Sequence, residues 1–439
     1  MHLARVTGRS GTLVERFKST CVKSAEELGP GVITGAADDD PSGIATYSQA
    51  GAAFGYGLLW TQILTYPLMC AVQLVSAHIG RVTGAGLAKN LVRTFPRAVV
   101  FPLVSILLAA NAFNIGADLT AMAAGAELIV GGGRHYFVIG FALLCVTLQL
   151  FVPYRRYAQT LKWLTLSLFA YAGVLLLVHV DWPAALLGMV WPHNLGRAAI
   201  LTVVALFGTT ISPYLFFWQS SQEAEEVAVH PDEHPLKSTP AEALAEYRRI
   251  RLDTLVGMAF SNLISIAIVI ATAATLHAHG ITDVQSAAQA AEALRPIAGR
   301  FAFGLFALGI IGTGLLAVPV LAGSAAFALC EARGWRSGLE YKPSQAGHFY
   351  AIIIVATLTG VALDWSNLDP IKALFWSAVL NGIAAVPIML AMMVLAHNRK
   401  IMGRFTERRR LLLFGWAATA VMAAASGALL FDTLRSALG

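Results

Sequence analysis

Charged side chains are scarce in this sequence. Aspartate, glutamate, lysine and arginine make up 13% of its 439 residues, whereas hydrophobic residues make up 57%. Soluble globular proteins carry about 25% charged residues, so the composition excludes that class. The four cysteines lack the spacing of a metal site, and we expect them to be buried core residues. The N-terminal segment has no apolar run typical of a cleaved signal peptide, so we expect no leader to be removed.

Long apolar runs recur along the chain. A helix of about 20 apolar residues crosses the hydrocarbon core of a bilayer, and the sequence predicts eleven such spans. They are Gly31–Phe54, Leu58–Ile79, Phe101–Ala124, Tyr136–Val152, Leu164–Val180, Ala198–Gln219, Leu255–Leu276, Phe301–Leu329, Phe349–Leu363, Leu374–Ala396 and Leu411–Phe431. We therefore predict an all-α polytopic membrane protein: a tail at residues 1–28, one transmembrane domain at 29–432 and a second tail at 433–439.

The basic residues are distributed unevenly between the two sides of these spans. If the N-terminus is cytoplasmic, 25 of the 31 lysines and arginines lie in the N-terminal tail or in loops on that side. Cytoplasmic loops are enriched in lysine and arginine, so the distribution predicts a cytoplasmic N-terminus and a C-terminus outside. We expect the membrane to be the plasma membrane. The net charge of +6 then reflects topology and contact with anionic lipid, and it predicts no binding of nucleic acid.

Two spans are interrupted by residues that break helices. Asp38-Asp39-Asp40-Pro41-Ser42-Gly43 interrupts span 1, and Thr209-Thr210-Ile211-Ser212-Pro213-Tyr214 interrupts span 6. An offset of five spans reverses the orientation in the membrane, so spans 1–5 and 6–10 are predicted to be inverted repeats, with span 11 as an addition. Paired broken helices at corresponding positions of two halves indicate the binding site of a transporter.

Oxygen atoms dominate the side chains at both breaks. Asp40 offers a carboxylate, Thr209 and Ser212 offer hydroxyls, and unwound backbone offers carbonyl groups. Neither break contains cysteine or histidine, and such sites suit Mg2+, Ca2+ or Mn2+ better than Cu(I) or Zn2+. Gly43 is expected to leave room for an ion that keeps part of its water. The predicted site for a divalent cation comprises Asp40, Asp39, Gly43, Thr209 and Ser212.

Other polar residues lie in otherwise apolar spans and could line a cavity. Asn111, Asn114 and Asp118 form a polar stripe in span 3. Hydrogen bonding between helices is the alternative to a role in an ion or proton path. The candidates for the cavity or ion path are Asp38, Asp118, Tyr214, Asn262 and Asn381.

The first span resembles that of a known transporter family. The run Gly29-Pro30-Gly31 through Asp40-Pro41-Ser42-Gly43, and on to residues 49–60, is similar to the first helix and following turn of the NRAMP divalent metal transporters. The similarity extends across spans 1 to 10. The resemblance implies a LeuT-type fold with a 5+5 inverted repeat, alternating access, and uptake of divalent metal, usually Mn2+ or Fe2+, driven by protons.

The chain departs from the family pattern at three places. Gly43 stands where the family's Asp-Pro-Gly-Asn has asparagine, and Ser212 and Tyr214 stand where Ala-x-x-Met-Pro-His has methionine and histidine. Asp118 is the only acid left of the family's Asp-Leu-Ala-Glu in helix 3. A soft sulfur favours transition metals, so its loss indicates a harder ion. The chain thus resembles the magnesium-transporting branch of the family, which implies Mg2+ with Mn2+ also carried and leaves proton coupling open.

Two other functions remain open from the sequence. A sodium- or proton-coupled carrier of small organic solutes could use the same fold, although the acid cluster disfavours it. A membrane enzyme or receptor should show a nucleophile with a base, or a histidine and glutamate metal set, and the sequence offers neither. We therefore predict no enzyme and no cofactor, with the divalent cation as cargo and the bilayer as the surrounding partner.

Overall fold

The computed structural model describes residues 30–152, 166–192, 196–229, 234–366 and 369–438. Throughout these ranges the regular elements are helices, numbered here in chain order. They are α1 (Pro30–Asp38), α2 (Pro41–Phe54), α3 (Trp60–Thr83), α4 (Leu87–Thr94), α5 (Arg97–Val130), α6 (Arg134–Phe151), α7 (Phe169–Val174), α8 (Trp182–Val190), α9 (Arg197–Thr210), α10 (Pro213–Val229), α11 (Ala243–Thr275), α12 (Ala287–Glu292), α13 (Arg295–Ala298), α14 (Ala302–Arg333), α15 (Gly347–Ala362), α16 (Pro370–His397), α17 (Arg399–Met402) and α18 (Arg409–Leu438).

The predicted spans are recovered as helices. Within the described ranges, nine stretches are long and apolar enough to cross a membrane: α3, α5, α6, α9 with α10, α11, α14, α15, α16 and α18. Span 1 is missing from these nine because it consists of two short helices, α1 and α2, on either side of the predicted break. Span 5 begins at Leu164, outside the described residues, and continues in the 3-10 turn Leu166–Leu168 and α7, which ends at Val174 and not at the predicted Val180.

Several boundaries differ from the sequence prediction, among them the end of span 6 and the start of the C-terminal tail. Helix α10 continues to Val229, beyond the predicted end of span 6 at Gln219, because its polar second half is buried. Glu223, for example, is fully buried and pairs with Arg249 of α11 at 2.8 Å. At the C-terminus, α18 runs to Leu438, so residues 433–438 extend the last helix and do not form a separate tail. The predicted tail at residues 1–28 lies outside the described residues.

Glycines let the two broken spans pack closely against their neighbours. A Cβ atom at Gly35 of α1 would lie 2.4 Å from the backbone of Gly257 in α11. A Cβ at Gly208 of α9 would lie 2.0 Å from the Ala378 carbonyl oxygen of α16. Small residues of this kind allow helix backbones to approach within a membrane. The ends of α1 and α9 are thereby held in fixed positions beside the two breaks.

Candidate metal centre at the paired helix breaks

Asp40 lies at the break in span 1, where the sequence encodes a helix start. Asp38 is the last residue of α1, and Asp40 is the N-cap of α2 with extended backbone angles (φ −71°, ψ 169°). Its Oδ1 accepts hydrogen bonds from the Ser42 hydroxyl at 2.6 Å and the Gly43 N–H at 2.7 Å. Pro41 suits the first helical position because it has no N–H to satisfy there. The carboxylate therefore lies at the positive end of α2.

The second oxygen of Asp40 faces two other spans. Its Oδ2 accepts from the Asn114 amide of α5 at 3.2 Å and from the Tyr214 hydroxyl of α10 at 3.4 Å. Both distances are long for hydrogen bonds to a carboxylate oxygen. Oδ2 therefore keeps lone-pair capacity for a cation at the meeting point of spans 1, 3 and 6.

Asp38 and Asp39 share a single hydroxyl donor. The Ser261 oxygen of α11 lies 2.7 Å from Asp38 Oδ2 and 2.9 Å from Asp39 Oδ1. One hydroxyl has one hydrogen, so it can donate to only one carboxylate at a time. The remaining oxygens, Asp38 Oδ1 and Asp39 Oδ2, are buried without a hydrogen-bond partner.

The three acids carry more charge than the surrounding protein balances. Asp38, Asp39 and Asp40 are each at most 1% exposed, and over the described ranges none forms an ion pair with a basic side chain. Burying an unpaired carboxylate costs several kcal/mol even after the protein relaxes. Protons or a bound cation must therefore balance this cluster, and oxygen ligands of this kind suit a hard cation.

The break in span 6 presents hydroxyls in two different environments. Ile211 and Ser212 separate α9 from α10, and the Ser212 hydroxyl points back to the Gly208 and Thr209 carbonyl oxygens at 2.8 and 2.9 Å. The Ser212 hydroxyl hydrogen is therefore used in hydrogen bonds to the end of α9, while the oxygen lone pairs are still free to accept. The Thr209 hydroxyl makes no hydrogen bond of normal geometry and lies 3.2 Å from the Cβ position of Gly43. Thr209 and Gly43 are thus brought together, whereas Ser212 makes its contacts within α9.

The room expected beside Gly43 is filled. A Cβ atom at Gly43 would lie 3.2 Å from Thr209 Oγ1 and 3.2 Å from the ring of Tyr47. Tyr47 is one helical turn further along α2, so it covers the same face of the helix. The expectation that Gly43 leaves space for retained water is therefore wrong for this conformation. Gly43 instead permits close contact between α2 and α9.

The polar stripe of span 3 divides into two parts. Asn111 donates to the Leu321 carbonyl oxygen at 2.9 Å and to the Ser324 hydroxyl at 2.8 Å, so it joins α5 to α14. Asp118 lies one turn beyond Asn114 on the same helix face, is fully buried, and has no hydrogen-bond partner at either oxygen. Asn111 is therefore structural, and Asp118 continues the acidic lining away from Asp40.

The remaining cavity candidates lie close to the two breaks in sequence or packing. Tyr214 reaches the Ala37 carbonyl oxygen at 3.3 Å in addition to Asp40. Asn262 follows Ser261 in α11 and is 7% exposed. Asn381 is fully buried without a hydrogen-bond partner for its amide, in the segment of α16 that packs on Gly208. No hydrogen bond in the described ranges joins Asn262 or Asn381 to Asp40.

Three residues of this centre were not predicted from the sequence. Ser42 could have been found from the sequence, because Asp40 before Pro41 is a helix N-cap pattern. An N-cap side chain accepts hydrogen bonds from the first residues of its helix, which include Ser42 and Gly43. Ser261 and Tyr47 had no such signal, since their roles depend on how α11 packs on α1 and how α2 faces α9.

Contacts close the centre from both membrane faces. On the side where α1 begins, Asp253 of α11 accepts from the Gly31 and Val32 N–H groups at 2.7 and 3.1 Å. On the opposite side, the Gln49 side chain of α2 bonds the backbone of Thr282 at 3.3 Å and of Val284 at 2.8 Å. The three acids are at most 1% exposed, so we describe this conformation as occluded.

Comparisons with known proteins agree with this architecture. The family model described as natural resistance-associated macrophage protein-like (Nramp) matches residues 31–432. The divalent metal cation transporter MntH of Klebsiella pneumoniae is 26% identical over 427 residues, covering 93% of this chain and 94% of that protein. MntH of Deinococcus radiodurans is 24% identical over 416 residues, covering 93% and 90%.

Solved structures show the same fold. The manganese transporter of Eremococcus coleocola superposes with a TM-score of 0.71 at 17% identity, covering 96% of this chain and 87% of that one. Mhp1, a nucleobase-cation-symport-1 family transporter, superposes with a TM-score of 0.54 at 13% identity, covering 92% and 93%. The predicted fold class, an all-α LeuT-type membrane protein, is confirmed.

Proposed function

Because this chain belongs to the Nramp family, we propose that it moves divalent metal cations across the plasma membrane by alternating access, with Mg2+ and Mn2+ as its cargo. The family predicted from the first span is confirmed, and the chain is a multi-pass transporter and not an enzyme. The cation is a substrate that passes through, and no cofactor takes part. The distribution of basic residues supports a cytoplasmic N-terminus, which is part of the proposal.

One observation carries the proposal: three carboxylates are buried at a helix break without a basic partner in the described ranges. Asp40 is the proposed primary ligand, because its Oδ2 faces spans 3 and 6 and has only long hydrogen bonds. Asp39 is the second anionic ligand, and Thr209 adds a hydroxyl oxygen from the opposite break that makes no hydrogen bond of normal geometry. Attraction of a dication to these oxygens offsets the cost of burying them.

The donor set favours a hard cation. All the proposed side-chain ligands are oxygen atoms, and Ser212 occupies the position at which the family pattern has a thioether. Mg2+ and Mn2+ both accept carboxylate, hydroxyl and carbonyl ligands, while a soft sulfur would favour Mn2+ and other transition metals over Mg2+. The hardness of the ligands, and not free space beside Gly43, is what supports Mg2+.

Alternating access would require two sets of contacts to open in turn: those of Asp253 with the start of α1, and those of Gln49 with the backbone of Thr282 and Val284. Release toward the face where α1 begins requires separation of α1 from Asp253, and loading from the other face requires release of the Gln49 contacts. Asp118 and Tyr214 lie along the face of the centre toward spans 3 and 6, and we assign them to the ion path. Carriage of an organic solute is less compatible with this centre, since three acids stand where a solute carboxylate would need donors.

A flux assay in proteoliposomes tests the proposal. Uptake of Mg2+ and Mn2+ is measured with the purified chain, together with internal pH from a sensitive dye. We expect uptake of both ions, mutual competition between them, and little competition from sodium. Absence of divalent uptake in vesicles that retain folded protein would contradict the proposed function, and the dye signal decides whether protons accompany the metal.

Replacing Ser212 with methionine should shift the ion preference. We expect the ratio of Mn2+ to Mg2+ uptake to rise by roughly tenfold, as about 1.4 kcal/mol of extra affinity would give. Ser212→Leu is the matched control, because leucine has nearly the volume of methionine but no sulfur. An equal shift in both variants would mean that size, and not softness, determines the preference.

A further inference from the structure

A strongly basic loop connects α16 to α18. Residues 398–410, called the basic loop here, contain six basic residues, all exposed, and one acid. In the described ranges none of the six forms an ion pair with a carboxylate. They are Arg399, Lys400, Arg404, Arg408, Arg409 and Arg410.

The basic loop is a folded surface. Met402 is fully buried, and Phe405 packs edge-to-face on Tyr247 of α11 with ring centroids 6.3 Å apart. Glu407, the one acid of the loop, pairs with His78 of α3 at 2.9 Å and is nearly buried. The acid is thus turned inward toward His78, which leaves the positive charges outside.

Other cations extend this surface. The Cε atom of Lys237 lies 3.6 Å from the Cβ position of Gly403 in the basic loop. Partial burial and the charge of Arg93 lower the pKa of the Lys237 ammonium below its usual value. Like charges gather here although each raises the energy of the others, which indicates that an external anion balances them.

The basic loop lies next to the exposed apolar surface of a helix long enough to cross a membrane. Arg409 and Arg410 begin α18, and Leu413 and Phe414 of the same helix are 69% and 47% exposed. A rise of about 1.5 Å per residue places these apolar side chains about 6 Å further along the helix than the arginines. A ligand bound beside the start of α18 would contact the arginine charges with one part and the apolar side chains of Leu413 and Phe414 with another.

We propose that the basic loop, together with Lys237 and Arg93, binds the headgroups of anionic phospholipids. Arginine forms paired hydrogen bonds to phosphate oxygens, and several basic residues at the end of a membrane helix are typical of anionic lipid binding. The exposed apolar turn beside the arginines adds a contact for acyl chains that a soluble anion cannot use.

Lipid titration of the purified full chain tests this assignment. Phosphatidylglycerol and phosphatidylcholine are added in detergent, and bound lipid is measured by native mass spectrometry. We expect phosphatidylglycerol to bind at least about tenfold more tightly, and we expect the preference to fall as salt is raised from about 0.05 to 0.5 M. Lys400→Gln/Arg404→Gln should weaken phosphatidylglycerol binding by about 25-fold, since each of the two charges near the surface contributes roughly fivefold.

The chain offers a matched control on the opposite face. Lys372 and Arg300 are exposed, and Arg300 stacks on Phe301 at 5.0 Å as Arg404 stacks on Phe405 at 5.2 Å. Lys372→Gln/Arg300→Gln should leave phosphatidylglycerol binding within about twofold. An equal loss in both double variants, or no preference in the unmodified chain, would overturn the proposal. Displacement of the lipid by inorganic phosphate would also overturn it, because the surface would then be a soluble-anion site.

Discussion

Replacing Asp40 with asparagine is expected to abolish divalent cation uptake while the fold is retained. Asparagine keeps an oxygen that can cap α2, so the contacts with Ser42 and the Gly43 N–H survive. The negative charge facing spans 3 and 6 is lost. Removing one member of a buried charge pair costs about 3 to 5 kcal/mol, so uptake should fall by at least about 100-fold.

The control for this variant is another Asp-Pro helix start. Asp369 caps α16, accepting from the Ile371 and Lys372 N–H groups at 2.9 and 3.3 Å, and Pro370 follows it. Asp369→Asn should reduce uptake by less than about twofold, because it alters the same kind of cap away from the breaks. Mg2+ and Mn2+ uptake into proteoliposomes measures both variants. Near-normal uptake by Asp40→Asn would remove Asp40 from the site.

The architecture could be predicted because membrane helices have a strong sequence signature. Apolar length locates a span such as α15 without reference to its neighbours, and the distribution of basic residues adds an independent constraint on the number of spans. The breaks could be located for the same reason, since Asp40-Pro41 cannot lie inside a lipid-facing helix. Predicted ends failed where polar residues are buried by partners, as at Glu223, whose ion pair with Arg249 allows α10 to continue.

The candidate centre could be predicted only in part. Asp40 and Thr209 are local features of broken helices, and the structure places both at the meeting of the two breaks. The contact of Ser261 with the acids depends on a helix more than 200 residues away in sequence. Gly43 shows the same limit, because the empty volume suggested by a missing side chain is filled by Tyr47. The sequence identifies the polar groups that a helix carries, whereas the packing of the helices determines which groups each of them contacts.

Replacing Asp253 with asparagine is expected to open the side of the transporter on which α1 begins. The Asp253 carboxylate accepts two N–H groups at the start of α1 and interacts favourably with that helix end. Its neutral counterpart loses about 2 kcal/mol of this charge-assisted bonding. If the contact holds the occluded state, the open population should rise by roughly 30-fold.

Labelling of a cysteine on α1 measures this opening. Ala36→Cys is placed in a chain whose four native cysteines are replaced by alanine, since Ala36 is only 8% exposed when α1 is packed. A membrane-impermeant maleimide should then react about tenfold or more faster in the Asp253→Asn background, and uptake should fall because reclosure is impaired. Asp181→Asn is the control, because Asp181 caps the separate helix α8 by accepting from the Ala184 N–H at 3.0 Å. Equal labelling in the two backgrounds would show that α1 is held by its glycine packing on α11 and not by the Asp253 charge.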